Sequence, residues 1–182
     1  SASALRVRSC PQTLEPDLGH ASVGSRIVKA VIVASGAHVP ADLRELADAD
    51  LIIAADGGAD WLDANGITPH LVVGDLDSAD PTVVDRLVSS AVPVEQHPID
   101  KDASDLELSM AAAVRVGADV IVVLGALGGA LDHLLANVLI LGSKAVGGRA
   151  IQLTHGVTSA RLLTGPAGAG LRGRVGSRVS LL

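Results

Sequence analysis

Aromatic side chains are almost absent: among 182 residues there is one tryptophan, Trp61, and neither phenylalanine nor tyrosine. Proteins that bind single-stranded nucleic acid stack bases on such rings, so their scarcity argues against that function. Positive charge is also scarce, since 14 Lys and Arg stand against 20 Asp and Glu, for a net charge of −6. Because phosphate backbones are bound mainly through Lys and Arg, we expect no nucleic-acid partner.

Cysteine is scarce as well, and long apolar runs are missing. The single cysteine, Cys10, cannot form an internal disulfide, which is typical of a reducing compartment, so we expect a cytoplasmic protein. No apolar run reaches the roughly 18 residues needed to span a bilayer. Arg6 and Arg8 are not followed by the apolar segment of a signal peptide. We therefore expect no membrane partner.

What the chain does contain is aliphatic: 48% of its residues are hydrophobic, enough for a large core. From residue 28 onward, short β-branched runs alternate with helix-like segments. The predicted strands are residues 30–34, 51–55, 70–73, 92–95, 120–124 and 150–153, and the predicted helices are 41–49, 59–65, 81–89, 105–116 and 131–146. This alternation predicts an α/β fold with a three-layer, mostly parallel, Rossmann-like sheet that has helices on both faces.

Three regions follow from this pattern. Residues 1–26 show no sustained period and contain several prolines and glycines, so we expect a poorly ordered extension. Residues 27–155 form the α/β domain. Glycine-rich turns and short strands replace the helices over residues 156–182, which predicts the start of a β-rich domain. Within the α/β domain, residues 131–141 are apolar nearly all round, which predicts burial in the core or in a subunit interface.

Four acids, Asp56, Asp75, Asp77 and Asp105, follow strand-like runs or begin a helix. The carboxyl ends of parallel strands meet at one edge of a sheet, and ligands bind there. Alternate residues of an extended segment point the same way, so Asp75 and Asp77 are expected to reach one ion. Gathered carboxylates repel one another unless a cation or protons neutralise them, and oxygen ligands suit Mg²⁺ bound to phosphates. The acids therefore predict a metal–nucleotide site.

Each of these motifs also has a purely structural interpretation. One Asp of GDLDS would suffice as a turn that caps the helix at Pro81. Asp105 lies in a first helical turn, where the helix dipole stabilises any acid. Gly57 and Gly58 form a turn, although such a turn also brings backbone amides close to phosphate. The helix dipole does not explain Lys101, a cation that is placed to meet a phosphate.

A second glycine-rich turn, GALGGALDHLLAN at residues 125–137, joins another strand to another helix. It places Asp132, His133 and Asn137 on an otherwise apolar helix, where buried polar groups need partners. His133 is suited to acid–base chemistry, although a lone histidine is more often structural.

Taken in order, ADGGAD, TPHLVVGDLDS, HPIDKDASDLE and LGALGGALDHLLAN resemble the catalytic domain of thiamine pyrophosphokinase, over residues 30–153. The resemblance implies that ATP donates a pyrophosphoryl group to the hydroxyl of thiamine, which gives thiamine diphosphate and AMP. It also implies a homodimer in which thiamine is held between one subunit's catalytic domain and its partner's β-sandwich. Residues 156–182 would then be a fragment of that thiamine-binding β-sandwich.

The resemblance also implies roles for individual residues. Mg²⁺ would be ligated by Asp56, Asp75, Asp77 and Asp105. ATP would be contacted by Gly57, Gly58, Lys101, Gly128, Gly129, His133 and Asn137. The residues expected to act in catalysis are Asp77, Asp132 and Lys101, and either Asp77 or Asp132 would accept the proton of the hydroxyl.

The chain departs from the family pattern at a few positions. Asp60 stands where the family usually has Asn, and Ser104 where it usually has Thr. Leu127 and Ala130 replace a Thr and an Arg. An arginine at position 130 would give charge-assisted contacts to phosphate worth roughly 1.5–3 kcal/mol each. Its loss is expected to slow transfer about ten- to a hundredfold unless Lys101 or another cation substitutes.

Two other functions therefore stay open. One is pyrophosphorylation of a pterin alcohol, because archaeal-type pterin diphosphokinases resemble this family around the same acidic motif. The other is a catalytically weak relative that binds nucleotide without turnover.

Overall fold

The computed structural model describes residues 8–9, 26–98, 102–143, 146–163, 172–173 and 175–180. In chain order the described elements are β1 (Arg8–Ser9), β2 (Lys29–Val33), a 3-10 turn (Pro40–Asp42), α1 (Leu43–Leu46), β3 (Leu51–Ala55), α2 (Gly58–Ala64), β4 (Leu71–Gly74), α3 (Pro81–Ser89), β5 (Val94–Gln96), α4 (Asp105–Arg115), β6 (Val120–Leu124), α5 (Leu131–Ile140), β7 (Ala150–His155), β8 (Thr158–Arg161) and β9 (Arg172–Gly173). None of the helices in these ranges has the length and apolar character needed to cross a membrane.

The chain divides into two compact units. The larger unit spans residues 25–162, and the smaller one combines residues 1–24 with residues 163–182. In the smaller unit β1 pairs with β9 in parallel. Apart from Arg8, Ser9 and Arg26, the predicted amino-terminal extension, including Cys10, lies outside the described residues.

Seven strands of the larger unit form one sheet in the order β5-β4-β3-β2-β6-β7-β8. All neighbouring strands are parallel except β7 and β8. The predicted α/β fold with a mostly parallel sheet is thus confirmed, while its Rossmann-like character stays a prediction. The chain moves outward from β2 through β3, β4 and β5, and then returns to place β6 on the other side of β2. Open α/β sheets bind ligands at such a reversal of strand order.

The core fills both faces of the sheet because alternate strand residues point in opposite directions. One face packs against α4, whose Leu106 and Met110 join the core. The central strand residues of that face are Ile32, Ile53, Val73, Ile121 and Leu153. Residues of the opposite alternation, such as Val31 and Val72, are buried as well, and α2 contacts β2 and β3. Burial on both faces explains why the strands are almost continuously apolar.

Two helices begin at the predicted residues, Pro81 and Asp105, and each is capped by the side chain just before it. Asp80 caps α3 by accepting a hydrogen bond from the Thr82 amide at 2.8 Å, and Pro81 is the first helical residue. Ser104 caps α4, since its Oγ accepts from the Glu107 amide at 3.2 Å. These side chains satisfy amides that lack a partner inside the helix.

The prediction for residues 131–146 needs two corrections. The helix is shorter than predicted, because α5 ends at Ile140. Burial in the core is wrong for residues 131–140, since no residue of α5 is buried and Leu135 and Leu139 are 54% and 77% exposed, whereas Leu141 does lie in the core. An apolar pattern shows that a helix face favours burial, but it does not show what covers that face. The subunit interface stays a prediction.

The carboxyl-terminal part of the larger unit continues the sheet beyond β7. β8 pairs with β7, with Leu153 opposite Ala160, and so extends the same sheet. The assignment of residues 156–182 to a β-sandwich stays a prediction.

Candidate metal and phosphate site

Three acids meet at the carboxyl ends of two neighbouring strands. Asp56 follows β3, and Asp75 and Asp77 follow β4. The parallel register, with Ala55 opposite Val73, brings these ends together. One carboxylate oxygen from each acid lies within 4.8 Å of the other two. Three oxygen ligands at this separation suit a hard divalent cation such as Mg²⁺.

The two acids after β4 converge through a turn, and the prediction that they lie on an extended segment is wrong. Leu76, between them, has φ 67°, a left-handed conformation that costs about 1–2 kcal/mol for a residue with a side chain. The turn lets the amide of Asp77 donate to Asp75 Oδ1 at 3.2 Å. Such strain persists where the surrounding structure holds it, and it is common at functional sites.

Asp56 is the most buried member of the group, at 6% exposure. Burial raises the pKa of its carboxyl, and the nearby Asp105 raises it further, whereas hydrogen bonds from the Ser78 hydroxyl and from the amides of Gly57 and Ser78 lower it. Its Oδ1 is buried without a hydrogen-bond partner within the described part of the chain. Because buried polar atoms are normally satisfied, this oxygen fits a ligand of a cation.

Asp105, the first residue of α4, lies beside this group. A Cβ placed on Gly74 would come within 3.2 Å of Asp105 Oδ1 and 3.1 Å of the Asp56 Cβ. Gly74 therefore occupies the space between the two acids, and its φ of 153° also favours glycine. The four acids predicted as metal ligands are thus neighbours, although Asp105 is not in the three-acid group.

The glycines of the DGGAD turn have a packing role. A Cβ on Gly58 would lie 1.9 Å from the Val33 carbonyl oxygen, and one on Gly57 would lie 2.9 Å from the Ser78 carbonyl oxygen. Only glycine lets α2 begin so close to β2 and to the loop after β4. The approach of these two residues to phosphate stays a prediction.

The turn after β6 carries the remaining predicted site residues. Gly128 and Gly129 have φ values of 136° and 81°. Asn137 donates from Nδ2 to the Ala126 carbonyl at 3.0 Å and so fastens α5 to this turn. Asp132 and His133 are exposed, and Asp132 Oδ1 accepts from the His133 amide at 2.9 Å.

The geometry brings neither Asp132 nor His133 into the three-acid group. Lys101, the predicted phosphate contact, lies outside the described residues. The roles assigned to these three residues stay predictions.

A buried polar cluster that was not predicted from the sequence lies near the reversal of strand order. The carboxylate of Asp42 is fully buried and accepts from the amides of Val39 at 2.9 Å and Gly156 at 2.6 Å. The Nδ1 atoms of His38 and His155 lie 3.8 and 3.9 Å from Asp42 Oδ2. No motif marks this cluster, since Asp42 looks like an ordinary residue of a first helical turn.

Trp61 is close to the same cluster. Its ring stacks on His38 with centroids 4.3 Å apart. His38 also borders the turn after β6, because a Cβ on Gly125 would lie 2.6 Å from His38 Cε1. Burial lowers the pKa of His38 despite its hydrogen bond with the Ala34 carbonyl and the charge of Asp42.

We expect Asp56→Asn to stabilise the metal-free protein. The carboxyl has a raised pKa, so the charged form is penalised in the folded state above its ordinary pKa, and the penalty fades as the pH falls towards about 4. An amide keeps the acceptor oxygen without the charge. The thermal midpoint at pH 7 should rise by about 2–4 °C, equivalent to about 1 kcal/mol, and the difference should shrink on acidification. Calorimetry from pH 7 to 4 measures this, with the exposed Asp85→Asn as control. A lower midpoint for Asp56→Asn would contradict the electrostatic argument.

Fold and site together define a class, an open α/β protein with carboxylates gathered at the carboxyl ends of parallel strands. Within it, the chain belongs to the thiamin pyrophosphokinase family. The protein-family model described as "Thiamin pyrophosphokinase, catalytic domain" matches residues 43–151, which is more than half of the 182 residues. The resemblance seen in the sequence motifs is thereby confirmed.

Individual relatives agree with this assignment. The chain is 33% identical over 91 residues to thiamine pyrophosphokinase of Bacillus subtilis strain 168, a match that covers 50% of this chain and 42% of that protein. The crystal structure of thiamine pyrophosphokinase from Bacillus subtilis has a TM-score of 0.59 at 32% identity, over 69% of this chain and 60% of that one. Yeast thiamin pyrophosphokinase, at 14% identity, shares the fold, with a TM-score of 0.61 over 84% of this chain and 64% of the other. The chain thus spans less than two thirds of these relatives' length.

Proposed function

We propose that the chain catalyses Mg²⁺-dependent transfer of a pyrophosphoryl group from ATP to thiamine, which yields thiamine diphosphate and AMP. The observation that carries this proposal is the group of Asp56, Asp75 and Asp77, whose ligand oxygens lie within 4.8 Å of one another. Membership of the family supports this choice of reaction and acceptor. The single cysteine supports a reducing, cytoplasmic setting.

The residues at this site have different proposed roles. Asp56, Asp75 and Asp77 would hold Mg²⁺, with Asp105 adding negative charge beside them. When bound, the ion would neutralise phosphate oxygens during in-line transfer. The hydroxyl oxygen of thiamine forms a bond to the β-phosphorus of ATP and gives its proton to Asp77 or Asp132. The bond from the β-phosphorus to the oxygen that bridges the α- and β-phosphates breaks, and AMP leaves with that oxygen. The chain's task is mainly to position the two substrates.

The nucleotide is proposed to lie along the turns after β3 and β6. The backbones of Gly57–Gly58 and Gly128–Gly129 approach its phosphates, together with Lys101 and His133. Asn137 contributes by holding the turn after β6, since its amide already donates to the Ala126 carbonyl. This arrangement places the nucleotide where the strand order reverses, the usual ligand position in an open α/β sheet.

The base that accepts the hydroxyl proton is either Asp77 or Asp132. Substitutions can distinguish the two residues, because only Asp77 belongs to the metal site. Asp77 belongs to the three-acid group, so Asp77→Asn should weaken both metal binding and turnover. Asp132 is exposed at the start of α5, so Asp132→Asn should lower kcat without changing metal affinity if it is the base. Comparing Mn²⁺ affinity with kcat in both variants identifies the residue.

The acceptor is tested by measuring AMP release with ATP and Mg²⁺, with and without thiamine, and resolving products by mass. Thiamine-dependent AMP with matching thiamine diphosphate supports the proposal. Product formed only from a pterin alcohol would reassign the acceptor.

The arginine that the family has at position 130 is Ala130 here, which favours a weakly active relative as the second candidate. Saturable, Mg²⁺-dependent ATP binding without AMP release would establish it.

We propose that the protein is a homodimer and that α5 contributes to its interface. Leu131, Leu135 and Leu139 repeat every fourth residue and are 69%, 54% and 77% exposed, so one helix face is an apolar stripe. Leu135→Glu should shift a dimer to monomer in sedimentation velocity, because an interface cannot bury an unpaired charge cheaply. Val88→Glu, at an exposed apolar site on α3, is the control and should leave the dimer intact. A wild-type monomer at micromolar concentration would contradict the proposal.

A further inference from the structure

The side chain of Ser78 lies between two of the acids in the three-acid group. Its Oγ donates to Asp77 Oδ1 at 3.0 Å. The same hydroxyl lies near the Asp56 side chain and lowers the pKa of that carboxyl, so its single proton is shared between the two acids. Since Asp56 follows β3 and Asp77 follows β4, this one hydroxyl connects the loops after two neighbouring strands.

The backbone of Ser78 is held at the same place. Its amide hydrogen-bonds to Asp56, and its carbonyl oxygen lies so near Gly57 that a Cβ there would be 2.9 Å away. The position of Ser78 is therefore fixed relative to Asp56 by more than the flexible side chain.

The loop that carries Ser78 has two features that cost free energy. Leu76 is left-handed, with φ 67°, and the carboxylates of Asp75 and Asp77 repel each other at the separation the structure shows. The far end of the loop is fastened separately, since both carboxylate oxygens of Asp60 accept from the Asp80 amide at 3.0 and 3.1 Å. At the near end, the hydroxyl of Ser78 donates to Asp77 of the three-acid group.

We propose that Ser78 is a positioning residue that holds Asp56 and Asp77 at ligand separation before a divalent cation binds. A hydroxyl that donates to clustered carboxylates offsets part of their repulsion. It also orients oxygens that the cation would otherwise have to gather. Hydrogen bonds of this kind around metal ligands typically change metal affinity 10- to 100-fold when they are removed, by order of magnitude. The inference rests on the proposed metal site and is independent of which alcohol is the acceptor.

The test measures Mn²⁺ binding to the full chain, without nucleotide or acceptor, by electron paramagnetic resonance. The variants are Ser78→Ala, Ser78→Thr, which keeps the hydroxyl, and Ser89→Ala, an exposed serine at the end of α3. We expect Ser78→Ala to weaken Mn²⁺ affinity by about tenfold, while Ser78→Thr and Ser89→Ala stay within about twofold of the wild type. The thermal midpoint of metal-free Ser78→Ala should stay within about 2 °C of the wild type. Fluorescence of Trp61, the single tryptophan, gives an independent titration signal from α2.

Unchanged Mn²⁺ affinity in Ser78→Ala overturns the inference. A weakened affinity that Ser78→Thr does not restore, together with a lower thermal midpoint, overturns it as well, because the serine would then be structural. A wild-type chain that binds no Mn²⁺ overturns both the inference and the metal site. A wild type that shows the serine effect on Mn²⁺ but releases no AMP supports the positioning role and contradicts only the proposed transfer.

Discussion

Asp75→Asn should abolish Mg²⁺-dependent ATP binding, with a loss of affinity of at least about a hundredfold, and should leave the fold intact. A hundredfold loss corresponds to about 2.7 kcal/mol, a reasonable value for removing one of three anionic ligands that face a divalent ion at short range. Asparagine keeps an acceptor oxygen for the Asp77 amide, which donates to Asp75 Oδ1 at 3.2 Å. The turn around Leu76 is therefore expected to survive the substitution.

The measurement is calorimetric titration of ATP with and without Mg²⁺, combined with circular dichroism and thermal unfolding. Asp85→Asn provides the matched control, because it removes an exposed acid from α3 and changes the net charge equally. The control separates loss of a ligand from a change in the overall field of an acidic protein. Wild-type nucleotide affinity in Asp75→Asn would remove the basis of the metal site.

The strands and several helix starts could be predicted from the sequence because their signals are local. The apolar run of β3 ends at Asp56-Gly57, and the predicted strand 51–55 matches the observed one. Asp80 and Ser104 cap helices with side chains only a few residues from the amides they bind. The position of α5 could not be predicted in this way. Whether an apolar helix lies in the core, at an interface or in solvent depends on elements distant in the chain.

The candidate site could likewise be predicted only where its residues carry a signal in the sequence. That Asp56 and Asp75 meet follows from the strand ends of a parallel sheet, and the structure brings them together. The left-handed Leu76 has no local signal, because leucine has no preference for that conformation. The Asp42 cluster could not be predicted either, because the carboxylate of Asp42 accepts a hydrogen bond from the amide of Gly156, 114 residues away in the chain.

Gly58→Ala should destabilise the protein strongly, even though Gly58 lies in a helix. Helix propensity alone would favour alanine by about 1 kcal/mol. The added Cβ would lie 1.9 Å from the Val33 carbonyl oxygen and 2.6 Å from its carbonyl carbon. Val33 is paired on both sides, with Ala54 of β3 and Leu124 of β6, so the backbone of β2 cannot yield without disturbing the centre of the sheet. We expect a loss of about 3 kcal/mol or more, and a thermal midpoint lower by about 10 °C.

Gly142→Ala is the matched control, because its added Cβ would meet Leu162 Cδ2 at 3.5 Å, an ordinary contact. Thermal and urea unfolding of the two variants should therefore differ, with Gly142→Ala within about 1 kcal/mol of the wild type. Helix propensity and steric overlap with Val33 change the free energy of unfolding in opposite directions. The sign of the change measured for Gly58→Ala therefore shows which of the two is larger. If Gly58→Ala were as stable as the wild type, α2 could not begin against Val33. The turn that directs Asp56 towards Asp75 and Asp77 would then have a different shape, and the geometry on which the metal site rests would be wrong.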